Sequence, residues 1–272
     1  MADSTRAFVL RHTRLRPVPG LEELRLHLAD EALVIWHAAQ VETGDDDAPM
    51  TYWAFAWGGG LAIGRYLRDH PEAVAGRRVF DLASGSGLCA IAAMRAGAGS
   101  ALAVDIDPFA VSAIGLNARA NRVRVAAVRR DVLADDPPDA DVILAGDCWY
   151  EQSLAERVLP WLRRAQASGI DVVVGDPGRR YLPLDELTEL ASYEVRTTTE
   201  HASRFALCTS SRSSGTYRKK GLSSSLSSMW SRRNPAASRA ASPNRVSPRS
   251  SRPSRSAWAT NDVAIVFGVP LA

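Results

Sequence analysis

A chain of 272 residues, 46% of them hydrophobic and 23% charged, has enough material for one large α/β domain or a medium domain with a tail. No apolar run approaches the ~20 residues a membrane-spanning helix needs, and no secretory leader pattern opens the chain, so a cytoplasmic protein that does not enter a membrane is expected. The formal charge of +3 is split: residues 1–200 hold 21 Arg and no Lys against 29 acidic residues, whereas residues 201–272 hold 12 basic residues against Asp262 alone.

Phosphate backbones are gripped by clustered Arg and Lys, so the acidic part of the chain suits a cationic or protein partner, and nucleic acid is expected only nonspecifically through the tail. Cys89, Cys148 and Cys208 are too scattered for a disulfide framework or a zinc site, and they read as reduced thiols with no metal.

In chain order, Arg11–Gly20 reads as a loop, and an amphipathic helix is expected from about Leu21 to Gln40; residues 1–50 form an N-terminal helical segment. An acidic turn at Asp45, Asp46 and Asp47 precedes the aromatic and glycine-rich run from Thr51 to Gly60, which leads into a helix ending near His70. From Arg77 onward short β-branched runs alternate with helical stretches, the pattern of a parallel sheet built from βαβ units. Strands are expected at Val79–Leu82, Ala101–Asp105, Val125–Arg129, Asp141–Ala145 and Asp171–Gly175, with helices filling the gaps. Asp107-Pro108 reads as a helix start, and Gly97 and Gly169 as helix ends. The fold class is α/β, a Rossmann-like doubly wound sheet over residues 51–200. Residues 201–272 are rich in Ser, Arg and Pro, with 18 Ser, as when coding sequence is read out of frame. They are expected to form a disordered tail in which only Asp262–Val269 has strand character.

The chemistry concentrates in three places. Val79-Phe-Asp-Leu-Ala-Ser-Gly-Ser-Gly-Leu-Cys-Ala90 is a buried strand, a glycine turn and a helix start, a place where backbone N–H groups face a ligand. Gly85 and Gly87 also fit the dinucleotide pattern G-x-G-x-x-A, a weak motif. Asp81 stands ahead of the glycines, where its charge would repel a pyrophosphate and attract the cationic methionine part of S-adenosylmethionine. Asp105 is placed for ribose hydroxyls and Asp131 for an adenine amino group; Ser84, Gly85 and Gly87 complete the expected cofactor turn.

The second place, Gly146-Asp-Cys-Trp-Tyr-Glu151, follows the fourth strand. Asp147, placed to orient an amine, and Tyr150 are the expected catalytic residues, with Trp149 and Glu151 expected to bind substrate; Trp149 and Tyr150 either wall a channel or cap the core. The third, Asp176-Pro-Gly-Arg179, follows the fifth strand, with Arg179 either binding an acidic partner or, the favoured reading, pairing with Asp176 as a structural partner. Tyr52, Trp53 and Trp57 with Gly58–Gly60 are either a lid or a buried cluster, and Cys148 reads as a packing residue.

Taken together, Tyr52-Trp-Ala-Phe-Ala-Trp-Gly-Gly-Gly60, Asp81–Gly87, Asp105-Ile-Asp-Pro108, Gly146–Glu151 and Gly175-Asp-Pro-Gly-Arg179 resemble the lysine methyltransferases of the electron-transfer flavoprotein beta subunit, within the seven-stranded methyltransferase superfamily. The resemblance covers roughly residues 10–200. It implies protein-lysine methylation with S-adenosylmethionine, the beta subunit as partner, the Asp147 carboxylate near the target amine, and cofactor contacts at Trp57, Asp81, Gly85, Asp105 and Asp131. It also implies a sixth strand and a seventh that slots between the fifth and sixth; the resemblance stops near Thr199, so that C-terminal strand is expected to be missing or replaced. The rival readings are a methyltransferase for a small molecule or nucleic-acid base, a nicotinamide-dependent oxidoreductase, which Asp81 and the lack of a hydride-transfer set disfavour, and an inactive remnant whose basic tail binds nucleic acid.

Overall fold

The alternating pattern after Arg77 folds as five parallel strands: β3 (Arg78–Leu82), β4 (Ser100–Asp105), β5 (Ala126–Arg129), β6 (Val142–Gly146) and β7 (Asp171–Asp176). These elements belong to a computed structural model that describes residues 2–197 and 261–268. Helices α4 (Leu88–Arg95), α5 (Pro108–Ala120) and α6 (Gln152–Ala167) make three of the crossovers. The expected helix between β5 and β6 is absent: residues 130–141 run as a loop, where Pro137 and Pro138 lack the N–H groups a helix would use.

The sheet order is β5-β4-β3-β6-β7-β9-β8, with β8 (Thr188–Arg196) and β9 (Asn261–Gly268) completing seven strands. The strand order reverses direction at β3, and a crevice opens there beyond the carboxyl ends of β3 and β6. β9 runs antiparallel to both neighbours, pairing Val174 with Phe267 on one side and Ser192 with Ile265 on the other. This corrects the expectation of a missing or replaced last strand. The segment singled out as having strand character is that strand, its boundaries displaced by one residue. Ile265 and Phe267 enter the core on one face of the sheet and Val266 the core on the other, as a period of two requires. The rest of the Ser-, Arg- and Pro-rich tail lies outside the described residues.

Residues before the sheet also differ from expectation. The chain opens with α1 (Ala2–His12), then a hairpin of β1 (Arg14–Val18) and β2 (Leu21–Leu28), then α2 (Ala32–Thr43). Leu21, Leu24 and Leu28 are spaced as on a helix, but Leu24, Leu26 and Leu28 alternate as on a strand. The antiparallel partner β1 decides between these periods and ends the expected Leu21–Gln40 helix. Asn117 of α5 and Asn121, which caps its C-terminal end, bond the main chain of His27 and Arg25, fixing the hairpin to the sheet's helical layer.

Two cores flank the sheet, one under α4 and α3 (Gly58–Asp69), the other under α6 with Trp149 and Trp161. A third cluster joins Phe8, Ile35, Trp53 and Phe109. Among the described residues no helix is long and apolar enough to cross a membrane, and no group of His, Cys, Asp and Glu is placed to hold a metal.

Candidate functional site

Past β3 the chain turns sharply through three left-handed residues, Ala83, Gly85 and Gly87 (φ 51°, 54° and 83°), before α4 begins. Asp81, only 1% exposed, accepts hydrogen bonds from the Ser84 hydroxyl and, at 3.0 Å, the Ala90 N–H. Burial pushes its pKa up to about 7 despite those two donors, and the nearby Asp105 adds to the rise. Asp105, at the end of β4, accepts from Gly85 N–H at 2.8 Å and Asp107 N–H at 2.9 Å, and burial raises its pKa too. Asp107 caps α5 by accepting from Phe109 N–H.

These groups open onto a cavity of about 510 Å³, within the range of small-molecule sites. Asp81, Ser84, Gly85, Asp105, Asp131, Trp57, Asp147 and Tyr150 all reach its wall, so most of the expected site residues are brought together. Asp131 is paired with Arg157 through both carboxylate oxygens (2.8 and 2.7 Å), and that guanidinium holds its carboxyl below the usual range. The aromatic segment forms part of the same wall: Trp57 Nε1 donates to Tyr52 O at 2.8 Å, and the Tyr52 and Tyr150 rings lie 5.2 Å apart. Of the two readings of this segment, Trp53 is buried while Tyr52 is exposed at the rim. Burial pushes the Tyr150 hydroxyl up to about 12.

Asp147 adopts a left-handed conformation (φ 60°), which is uncommon for a residue other than glycine. Its N–H donates to Gly175 O, its Oδ2 accepts from Gly60 N–H at 2.8 Å, and its Oδ1 accepts from Arg179 Nη1 at 2.6 Å. The Trp57-Gly-Gly-Gly60 segment makes this possible. A Cβ on Gly59 would stand 2.1 Å from Gly175 O, so only glycine lets the N-terminus of α3 close on the ends of β6 and β7. The same Arg179 nitrogen bonds Asp176 Oδ2 at 2.8 Å, and Asp176 also accepts from Gly178 and Arg179 N–H. Burial raises the Asp176 pKa to about 6, against the pull of Arg179.

Three expected site residues stand elsewhere. Trp149 is 1% exposed in the α6-side core, in the same buried cluster as its neighbour Cys148. Glu151 is exposed at the start of α6 and bonds Ser153. Gly87 packs against Ile114 and shapes the turn without reaching the cavity. Arg179 pairs with Asp176 as expected, but its second partner, Asp147, lies 32 residues away in sequence, and no local pattern signals that link. Asp107, Arg157 and Tyr52 also reach the cavity wall; Asp107 was visible only as a cap, and Arg157 sits in a surface helix pattern.

Residues 69–146 match the family model for ribosomal protein L11 methyltransferase (PrmA). The electron transfer flavoprotein beta subunit lysine methyltransferase of Xenopus laevis is 36% identical over 205 residues, which cover 73% of this chain and 82% of that protein. A homologue of that enzyme in Caenorhabditis elegans is 30% identical over 74% of this chain and 86% of its own length. The Homo sapiens enzyme is 42% identical over 130 residues, 47% of this chain and 50% of that protein. The glycine turn that closes β3, the carboxylate at the end of β4 and the match over most of the Xenopus protein's length agree: the chain is an S-adenosylmethionine-dependent methyltransferase and belongs to the electron transfer flavoprotein beta subunit lysine methyltransferase family.

Proposed function

We propose that the chain transfers a methyl group from S-adenosylmethionine to a lysine amine of a protein, and that this protein is an electron-transfer flavoprotein beta subunit. The observation that carries the reading is one continuous cavity wall running from Asp81 and Asp105 to Asp147 and Tyr150. The donor set suits the cofactor. Asp81 is a fully buried carboxyl with two donors and, among the described residues, no cation acting on it, and the cofactor's ammonium would complete it. Asp105 is held by backbone N–H groups, Gly85 on one oxygen and Asp107 on the other with Ile106 adding to them, and the four lone-pair sites of a carboxylate leave capacity for ribose hydroxyls. Asp131, held by Arg157, would accept from the adenine amino group, and Trp57 on the same cavity wall would add a further cofactor contact.

When bound, S-adenosylmethionine supplies an electrophilic methyl carbon on a sulfonium whose sulfur keeps the bonding electron pair on departure. The protein's tasks are to bring a neutral amine in line and to exclude water. Asp147 attracts the incoming lysine as its ammonium and then orients the amine; the ammonium proton leaves to solvent before the nitrogen lone pair attacks. Tyr52 and Tyr150 wall the entry, and their faces favour a cationic alkylammonium. The excess of acidic over basic residues in residues 1–200 supports a cationic protein partner.

Calorimetric binding of S-adenosylhomocysteine, followed by transfer of labelled methyl to electron-transfer flavoprotein, tests the reading. Tight binding with label on a beta-subunit lysine is expected. Binding without labelling of that protein would overturn the substrate, and a folded chain that binds no adenosyl ligand would overturn the cofactor site.

A further inference from the structure

At the amine end of the cavity three charged groups stand together: Asp147 and Arg179 at the wall, with side chains 13% and 19% exposed, and Asp176 behind them at 0%. One guanidinium nitrogen, Nη1 of Arg179, bridges both carboxylates at 2.6 and 2.8 Å. Without Arg179, two carboxylates would face a desolvated cavity; without Asp176, the Asp147–Arg179 pair would be neutral. Together they leave a single uncompensated negative charge. An amine acceptor needs that intermediate value. A neutral seat gives the ammonium no electrostatic attraction. A doubly negative seat holds the ammonium so firmly that its proton is not lost near neutral pH.

We propose that Arg179 and Asp176 are positioning residues that set the charge of the amine seat, Arg179 neutralising one carboxylate so that a net charge of −1 beside Asp147 admits the ammonium yet lets it deprotonate. The inference rests on the reading of Asp147 as the residue facing the amine. Asp176 does not reach the cavity wall and acts only through Arg179. Among the described residues, the other titratable groups that interact with Asp147 are Cys89 on α4 and Cys148 in its own turn, with Asp81 on β3 acting on the same two thiols and Tyr150 on the same cavity wall. Both thiols are held protonated by burial, so the sign of the seat is set by the carboxylates and Arg179.

The test uses the full chain loaded with S-adenosylhomocysteine, n-butylammonium as the probe cation, and the variants Asp176→Asn, Arg179→Gln and Arg179→Lys. Wild type is expected to bind the probe above about pH 6 and to lose it as Asp176 protonates below that value. Asp176→Asn is expected to weaken probe binding at least several-fold at every pH and, with the protein substrate, to raise KM and move the rate–pH profile to lower pH. Arg179→Gln is expected to move that profile to higher pH, and Arg179→Lys to restore most of the wild-type profile. If Arg179→Gln does not fold, Asp176→Asn still decides, because it keeps the arginine and the shape of the site. Wild-type probe titrations or rate profiles that Asp176→Asn reproduces would overturn the proposal. So would the absence of probe binding by wild type. Probe binding with the expected variant pattern, but no methyl transfer to the flavoprotein, would leave the charge assignment standing and remove the substrate reading alone.

Discussion

Asp147 concentrates the strain and the charge of the site in one residue. Its left-handed backbone, the Gly60 N–H and Arg179 fix the carboxylate from three sides, so Asp147→Ala removes the group that meets the amine without touching the glycine turn. Methyl transfer is expected to fall by ~10²-fold or more, the scale of a misplaced reacting group, while S-adenosylhomocysteine binding by calorimetry stays within a few-fold of wild type. Asp81 makes a second residue-scale prediction, with its sign set by burial. Its carboxyl ionises at about pH 7 in the free protein, so below that pH it is neutral and gives a cationic ligand little. S-adenosylmethionine affinity is therefore expected to rise as pH goes from 6 to 8, by at most ~10-fold per unit because one proton is exchanged. Asp81→Asn should flatten that dependence and weaken binding at pH 8; a wild-type affinity independent of pH over this range would refute the linkage.

At the scale of elements, the tightest constraint is the closure of α3 on β7. A methyl on Gly59 meets the carbonyl of Gly175, which cannot rotate away, so the helix must move and carry the Gly60 N–H off Asp147. Gly59→Ala is expected to cost ~1–3 kcal/mol as overpacking, read as a lowered midpoint in chemical denaturation, and to lower methyl transfer further than stability alone explains. Gly115, inside α5 with open space where its Cβ would stand, makes the contrasting case: Gly115→Ala should stabilise by ~0.5–1 kcal/mol.

The elements also show how much was legible in the chain. The parallel strands were readable because Val79–Leu82, Ala101–Asp105 and Asp171–Gly175 are short apolar or β-branched runs bounded by Asp and Gly, a purely local signal. The cofactor turn was readable for the same reason. Leu21–Leu28 was not, because its leucines satisfy both periods and only a partner strand selects one. The double role of Arg179 was also hidden, since it depends on two loops meeting across β6 and β7. Trp149 and Tyr150 are adjacent letters, and only the direction of the turn after β6 sends one to the core and the other to the cavity.

For the molecule as a whole, β9 decides whether the sheet is complete. It supplies Ile265 and Phe267 to one core and Val266 to the other, all fully buried. Phe267→Ala is therefore expected to cost ~3–5 kcal/mol, the scale of a large-to-small change in a core, seen as a loss of several degrees in thermal midpoint. A neutral result would mean that β7 and β8 hold together without it. Without the strand, the ladder groups of β7 that pair with Gly268, Val266 and Ile265 would form an open edge.

A long sequence separation, residues 197–260, lies between β8 and β9, so the place of β9 between β7 and β8 is chosen by strand pairing and burial and not by a short turn. Two chains can then exchange the strand and bury the same side chains, each copy completed by the other. Refolding at high protein concentration is expected to yield a strand-swapped dimer by size exclusion, absent when the same protein refolds dilute.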